Sequence, residues 1–169
     1  MINRPIVREG RPHAPVRFDE LEILPGVPAA LDRLRAAGFR LVVVTNQPEV
    51  ARGTLPADVL RAMHQHLLES LPLDDVRACT HDDRDACSCR KPQPGLLLDA
   101  ANDENLSLAS SFMVGDRWRD VEAGRRAGCR TIFIDWGYHE RPPDAPDATV
   151  ASLAEAADWI LSPTRSDAA

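Results

Sequence analysis

Residues Cys79 to Pro92, CTHDDRDACSCRKP, restrict the conformations open to this chain more than any other stretch. Cys79, His81, Cys87 and Cys89 lie within eleven residues, as two pairs with one residue inside each pair and five residues between the pairs. In extended backbone a one-residue interval points both side chains the same way, and the five-residue loop lets the two prongs face each other. Thiolate and imidazole are the donors zinc prefers, and four of them close a tetrahedral structural site with no position for a reacting water. A disulfide among Cys79, Cys87 and Cys89 is the competing reading. It needs an oxidising compartment that nothing else here suggests, and Cys-x-Cys pairs bridge poorly.

The metal loop runs directly into Arg90, Lys91 and Pro92. Lys91 is the single lysine among 20 basic residues, the others being arginines. A chain that uses arginine for every other positive charge uses a compact ammonium here, and an ammonium held as a point charge suits a phosphoryl group. The bland alternative is a solvated surface lysine.

At 169 residues and 44% apolar content the chain fits one domain, 1–169, with a sizeable core. A net charge of −6 argues against nucleic acid as a partner, since a basic face would be expected. No run of about eighteen apolar residues suggests a membrane span, so the cytoplasm is the expected location and a monomer the expected state.

The turn-rich segment Met1 to Leu24 reads as a loop. VPAALDRLRAAG then places Val27, Leu31, Leu34 and Ala37 on one helical face, with Gly38 as the stop. FRLVVV, from Phe39 to Val44, is the apolar, β-branched run of a strand covered on both faces. Helices are expected over Pro56–Leu71, Pro94–Asn102, Asp116–Ala127 and Ser152–Leu161, the last with a Ser152/Glu155 capping box. Strands are expected over Val76–Cys79, Ser111–Gly115, Arg130–Asp135 and Thr149–Val150. His64 and His66 are two apart on a helix, point to different faces and read as surface or satisfied core residues. Trp136, Tyr138 and His139 fall in a proline-rich loop, a surface segment or a lid.

Strands alternating with helices predict an α/β fold with a doubly wound, Rossmann-like parallel sheet. Ligands in such sheets bind at the carboxyl ends of the strands. The residues there are Thr45-Asn46-Gln47, the metal loop with Lys91, and Gly115-Asp116-Arg117.

Three of these stretches together, VVVTNQ, CxHxxxxxCxCRKP and MVGDxxxD, resemble the haloacid dehalogenase superfamily of phosphatases. They are most similar to its branch of histidinol-phosphate and heptose-bisphosphate phosphatases, which carries a zinc loop. The resemblance implies a Rossmann-like fold and magnesium-dependent hydrolysis of a phosphate monoester of a small metabolite through an aspartyl-phosphate. A sugar bisphosphate such as heptose 1,7-bisphosphate is the expected substrate, with histidinol phosphate as the alternative. A phosphate-binding protein without catalysis is the further alternative. The resemblance makes Thr45 the hydroxyl that holds the phosphoryl group, assisted by the backbone amides of Asn46 and Gln47. It makes Lys91 the neutralising lysine, Arg90 and Arg117 substrate contacts, and Asp116 the magnesium carboxylate. Asp120 either orients the metal's waters or is a favourable acid in the first turn of a helix. Arg8, Arg11 and His13 stand where a second anionic group would be met.

The family's first motif, two aspartates two apart at the end of an opening strand, is not matched. The chain begins Met1-Ile2-Asn3-Arg4-Pro5, and Asp19 has no partner two residues on. The expectation is an N-terminally truncated chain. The nucleophile's strand would belong between the strand ending at Thr45 and the one ending at Gly115. Without it two backbone edges lie unpaired, each group costing on the order of 1–3 kcal/mol against a total stability of about 5–15 kcal/mol.

Overall fold

A computed structural model describes residues 2–162. In chain order the elements are the hairpin β1 (Ile6–Arg8) and β2 (Arg11–His13), helix α1 (Val27–Ala36), strand β3 (Val42–Asn46), helices α2 (Pro48–Ala51) and α3 (Ala57–Ser70), and strand β4 (Asp75–Cys79). There follow α4 (Gly95–Glu104), β5 (Phe112–Gly115), α5 (Trp118–Ala127), β6 (Arg130–Ile134), β7 (Ala148–Val150) and α6 (Leu153–Leu161).

β3 and β4 pair in parallel, and so do β5, β6 and β7. The β-branched runs account for this, because strands covered on both faces need apolar side chains on both. Phe112 of β5 packs edge-on against Trp159 of α6, with ring centroids 6.0 Å apart. The next residue, Met113, lies under Gly124 of α5, where an added Cβ would come within 2.6 Å of the Met113 Cβ. Consecutive strand residues point to opposite faces, so α6 and α5 cover opposite sides of the sheet, as a doubly wound fold requires. The main core joins Leu31 and Leu34 of α1 to Ile132 and Ile134 of β6 and Ala156 and Ala157 of α6. Ser152 caps α6, accepting the Glu155 N–H at 3.2 Å, while the Glu155 carboxylate reaches back to the Ala151 N–H.

Two local expectations are corrected. The opening segment is not a plain loop: β1 pairs antiparallel with β2, turning at Gly10 with φ 75°, and Asn3 bridges to Ile23. Pro, Gly and Arg in this stretch hid a pairing that tertiary contacts supply. The residues after Gln47 also form a short helix, α2, with Pro48 in its first turn. The reading attached to Met1 concerns a residue outside those described.

Backbone alternation shows how the two sheets face each other. In a parallel ladder a strand's residues bond alternately to its two neighbours. The Gln47 N–H donates to the Cys79 carbonyl at 2.8 Å, continuing the β3–β4 ladder, so Val43 and Thr45 also face β4 while Val42 and Val44 face away. Likewise the Arg130 N–H donates to Ser111, so Met113 and Gly115 face β6 while Phe112 and Val114 face away. Both outward edges border one largely apolar cavity of about 730 Å³, lined by Val42, Val44, Phe112 and Val114 among others. The cavity therefore lies between the strand ending at Thr45 and the one ending at Gly115.

Candidate active site

The carboxyl ends of β3 and β5 meet around Lys91. Asn46, the last residue of β3, clamps the backbone of Lys91 from both sides. Its amide donates to the Lys91 carbonyl and its oxygen accepts the Lys91 N–H, both at 3.0 Å. The lysine side chain is thereby aimed along the open edge of β3. Its Nζ donates to the Val44 carbonyl at 2.7 Å and pairs with Asp120 Oδ1 at 2.6 Å. Lys91 is 8% exposed, so it is no solvated surface lysine.

Asp116 follows β5 directly and is 9% exposed. Burial, and then the charge of Asp120, push its carboxyl up from the ordinary value. Tyr138 Oη donates to Asp116 Oδ2 at 2.9 Å. Burial first and then the Asp116 charge raise the phenol, which keeps its proton as donor. Asp120 takes the first-turn acid role weighed for it and adds an ion pair with the lysine. Its Oδ2 accepts the Arg117 N–H at 3.1 Å, capping α5, while Oδ1 meets Lys91. Gly115 makes room for this, since a Cβ there would stand 2.2 Å from the Asp120 Cβ.

Gln47 corrects part of the expectation. Its backbone amide is taken up by Cys79 in the β3–β4 ladder and is not free for a phosphate. Instead its side-chain Nε2 reaches Thr45 Oγ1 at 3.3 Å, and its Oε1 is buried without a partner. The Asn46 N–H falls on the outward-facing side of β3 by the alternation above.

The two arginines expected to touch substrate are paired within the protein. Arg90 Nε donates to Asp83 Oδ1 at 2.8 Å and its Nη1 to the His81 carbonyl at 3.3 Å, so it braces the metal loop. Arg117 forms a two-pronged pair with Glu140. In the sequence Tyr138 was visible only as part of a surface loop or lid and Glu140 not at all, because nothing local shows which helix end a loop will reach.

In the loop, Cys79, His81, Cys87 and Cys89 offer ligand atoms all within 4.8 Å of one another. Cys79 Sγ lies 3.5 Å from His81 Nδ1, 3.6 Å from Cys87 Sγ and 2.8 Å from Cys89 Sγ. His81 Nδ1 and Cys87 Sγ stand 3.3 and 3.5 Å from Cys89 Sγ. A tetrahedron with bonds of about 2.3 Å has edges of about 3.8 Å, so the four atoms fit a metal ion with a slight expansion. All four cysteines of the chain are free thiols, against the disulfide reading. Cys87 sits at about 7: burial opposes ionisation, but the Arg90 N–H and the neighbouring thiols outweigh it. The loop is pinned from outside by Arg52, whose Nη2 meets Asp82 Oδ1 at 2.6 Å. The fourth cysteine, Cys129, is buried away from the cluster.

His64 and His66 do not chelate together. His64 is partly buried with Nε2 unpaired, whereas His66 stacks edge-on with Phe18 and meets Ser70.

Parallel sheets covered by helices, with buried Lys91, Asp116 and Asp120 gathered near their carboxyl ends, form an arrangement compatible with a hydrolase of the HAD-like class. Residues 88–156 match the family model described as HAD-hydrolase-like. Over 167 residues the chain is 33% identical to a D-glycero-D-manno-heptose-1,7-bisphosphate 7-phosphatase from Thermosynechococcus vestitus, covering 85% of each chain. It is 40% identical over 122 residues to the corresponding Rhodopseudomonas palustris enzyme, covering 65% of this chain and 68% of that one. The solved D,D-heptose 1,7-bisphosphate phosphatase of B. bronchiseptica, complexed with magnesium and phosphate, superposes with a TM-score of 0.76. Identity there is 32%, with 86% of this chain and 87% of that one covered. The chain belongs to the HAD-like hydrolases, in the branch that holds these heptose-bisphosphate phosphatases. Among the described residues, no helix is long and apolar enough to cross a membrane.

Proposed function

We propose that this domain serves a magnesium-dependent phosphatase that removes a phosphate from a sugar bisphosphate such as heptose 1,7-bisphosphate. The observation that carries the reading is the single lysine wedged between the Val44 carbonyl and Asp120, beside the buried carboxylate of Asp116. Catalysis of phosphoryl transfer is mainly positioning and charge stabilisation, and this arrangement supplies both. Thr45 Oγ1, steadied by Gln47, and the Asn46 N–H hold the phosphoryl oxygens. Lys91 neutralises charge that builds on them. Asp116 offers a carboxylate oxygen of the kind a hard cation takes, Asp120 stands one helical turn on where it would orient the cation's waters, and magnesium bound there would offset the substrate's negative charge. A carboxylate presented in the cavity between β3 and β5 would attack the phosphorus, expel the sugar oxygen as the alcohol and form an aspartyl-phosphate, which water would cleave to the free carboxylate and inorganic phosphate.

The exposed hairpin arginines Arg8 and Arg11 favour a substrate with a second anionic group. Calorimetric titration in magnesium should show heptose 1,7-bisphosphate binding about tenfold or more tighter than histidinol phosphate, a difference of about 1.4 kcal/mol. Equal or tighter binding of histidinol phosphate would overturn the substrate assignment.

The Cys/His loop takes zinc and keeps it for structure, because its four donors leave no open position. Metal analysis should find one zinc per chain. Stripping it with a strong chelator should lower the melting temperature by more than about 10 °C, since structural zinc contributes folding energy directly. An unchanged melt after complete metal removal would refute a structural role.

A further inference from the structure

The segment after β6 crosses back over the site and is tied down at three places besides Tyr138. The His139 N–H donates to the Gly10 carbonyl at 2.8 Å, and the His139 ring lies so close that a Cβ on Gly10 would meet its Nδ1 at 2.2 Å. Glu140 pairs with Arg117 at the start of α5. The Arg141 guanidinium stacks over the Trp118 ring, 3.8 Å from its centroid. These ties link the strap to the β1–β2 hairpin and to the first turn of α5. They leave Tyr138 Oη bonded to one oxygen of Asp116, Oδ2, at 2.9 Å.

We infer that Tyr138 is a positioning residue for the metal carboxylate: by holding Asp116 Oδ2, it sets the carboxylate's rotation and so the direction in which Oδ1 is offered to a divalent cation. This deepens the phosphatase reading and rests on its assignment of Asp116. A carboxylate side chain turns about a soft terminal torsion, so one firm hydrogen bond on one oxygen decides where the other points. Magnesium demands near-ideal octahedral geometry and tolerates a misdirected ligand poorly. Partners behind a metal ligand typically contribute 10–100-fold in affinity. The strap makes this bond durable, because the rigid links at residues 139, 140 and 141 fix the tyrosine's backbone against the same helix whose N-terminus carries Asp120.

The test titrates magnesium chloride alone, by calorimetry, into the full 169-residue chain and into the variants Tyr138→Phe and Asp116→Asn. Tyr138→Phe keeps the ring and its packing and removes only the hydroxyl. The expected result is 10–100-fold weaker magnesium binding in Tyr138→Phe at a melting temperature close to the parent's. A Tyr138→Phe chain that binds magnesium as the parent does, while Asp116→Asn does not, overturns the role of Tyr138 and leaves the magnesium site standing. A parent that binds no better than Asp116→Asn overturns the magnesium site itself, and Tyr138's role with it. Loss of affinity accompanied by a large fall in melting temperature assigns the tyrosine to packing and also refutes the inference.

Discussion

Joining a short apolar strand that ends in Asp-x-Asp ahead of Ile2 should give the chain the ability to release phosphate from a phosphate ester. The outward edges of Val42 and Val44 on one side and of Phe112 and Val114 on the other present N–H and C=O groups to the same apolar cavity. An extended segment running parallel to both would pair with them. Alternation would then send its side chains into the apolar layers on the two faces, while its last residues emerge beside Thr45, Lys91 and Asp116. Lys91 Nζ now occupies the Val44 carbonyl on that edge. An incoming strand would take over that acceptor and release the ammonium toward the phosphoryl group.

Loss of a nucleophile typically costs about 10⁶ in turnover, so its return should raise phosphate release by at least about 10⁴-fold over the chain without the strand. Turnover should require magnesium and be abolished by Asn at the first aspartate. The melting temperature should rise as well, and the Val44 and Val114 amides should become slow to exchange. A strand that raises the melting temperature without turnover would remove the catalytic reading. A sequence with scrambled apolar pattern that works equally well would remove the pairing.

Lys91→Met should lose both stability and phosphate binding. The ammonium is buried with Asp120, and removing one partner of a buried pair leaves the other charge uncompensated, at a cost of about 3–5 kcal/mol. Electrostatic stabilisation of this kind contributes about 10²–10³ in rate in an active, strand-complete protein. Lys91→Arg separates the two effects. It keeps the charge, but its planar fork cannot serve both the Val44 carbonyl and Asp120 from one compact point. Its melt should recover most of the loss while inorganic phosphate binding stays at least about tenfold weaker than the parent's. Parent-like phosphate binding by Lys91→Met would contradict the site.

The residues proposed to carry chemistry were legible because each stands beside a local signal. Thr45 and Asp116 close apolar runs that must be buried strands, and the four Cys and His donors lie close enough in sequence to be counted. Lys91 was conspicuous as a singular choice among arginines. The hairpin at Gly10 and the short helix after Gln47 were missed, since three- and four-residue elements carry too little periodicity to register. The partners of Arg90 and Arg117 within the protein were not legible. A long side chain's target depends on which acceptor the tertiary fold brings near, here Asp83 and Glu140.

Sequence by itself determined the parallel α/β class, the metal loop and the strand ends at which the site forms. Those properties follow from side-chain burial periods and from donor spacing, both local to the chain. The tertiary structure alone decided that Gln47's amide belongs to the sheet, that Tyr138 reaches Asp116, and that two open strand edges face one cavity. Each of these depends on backbone direction and on contacts between residues far apart in the chain, which no local pattern encodes.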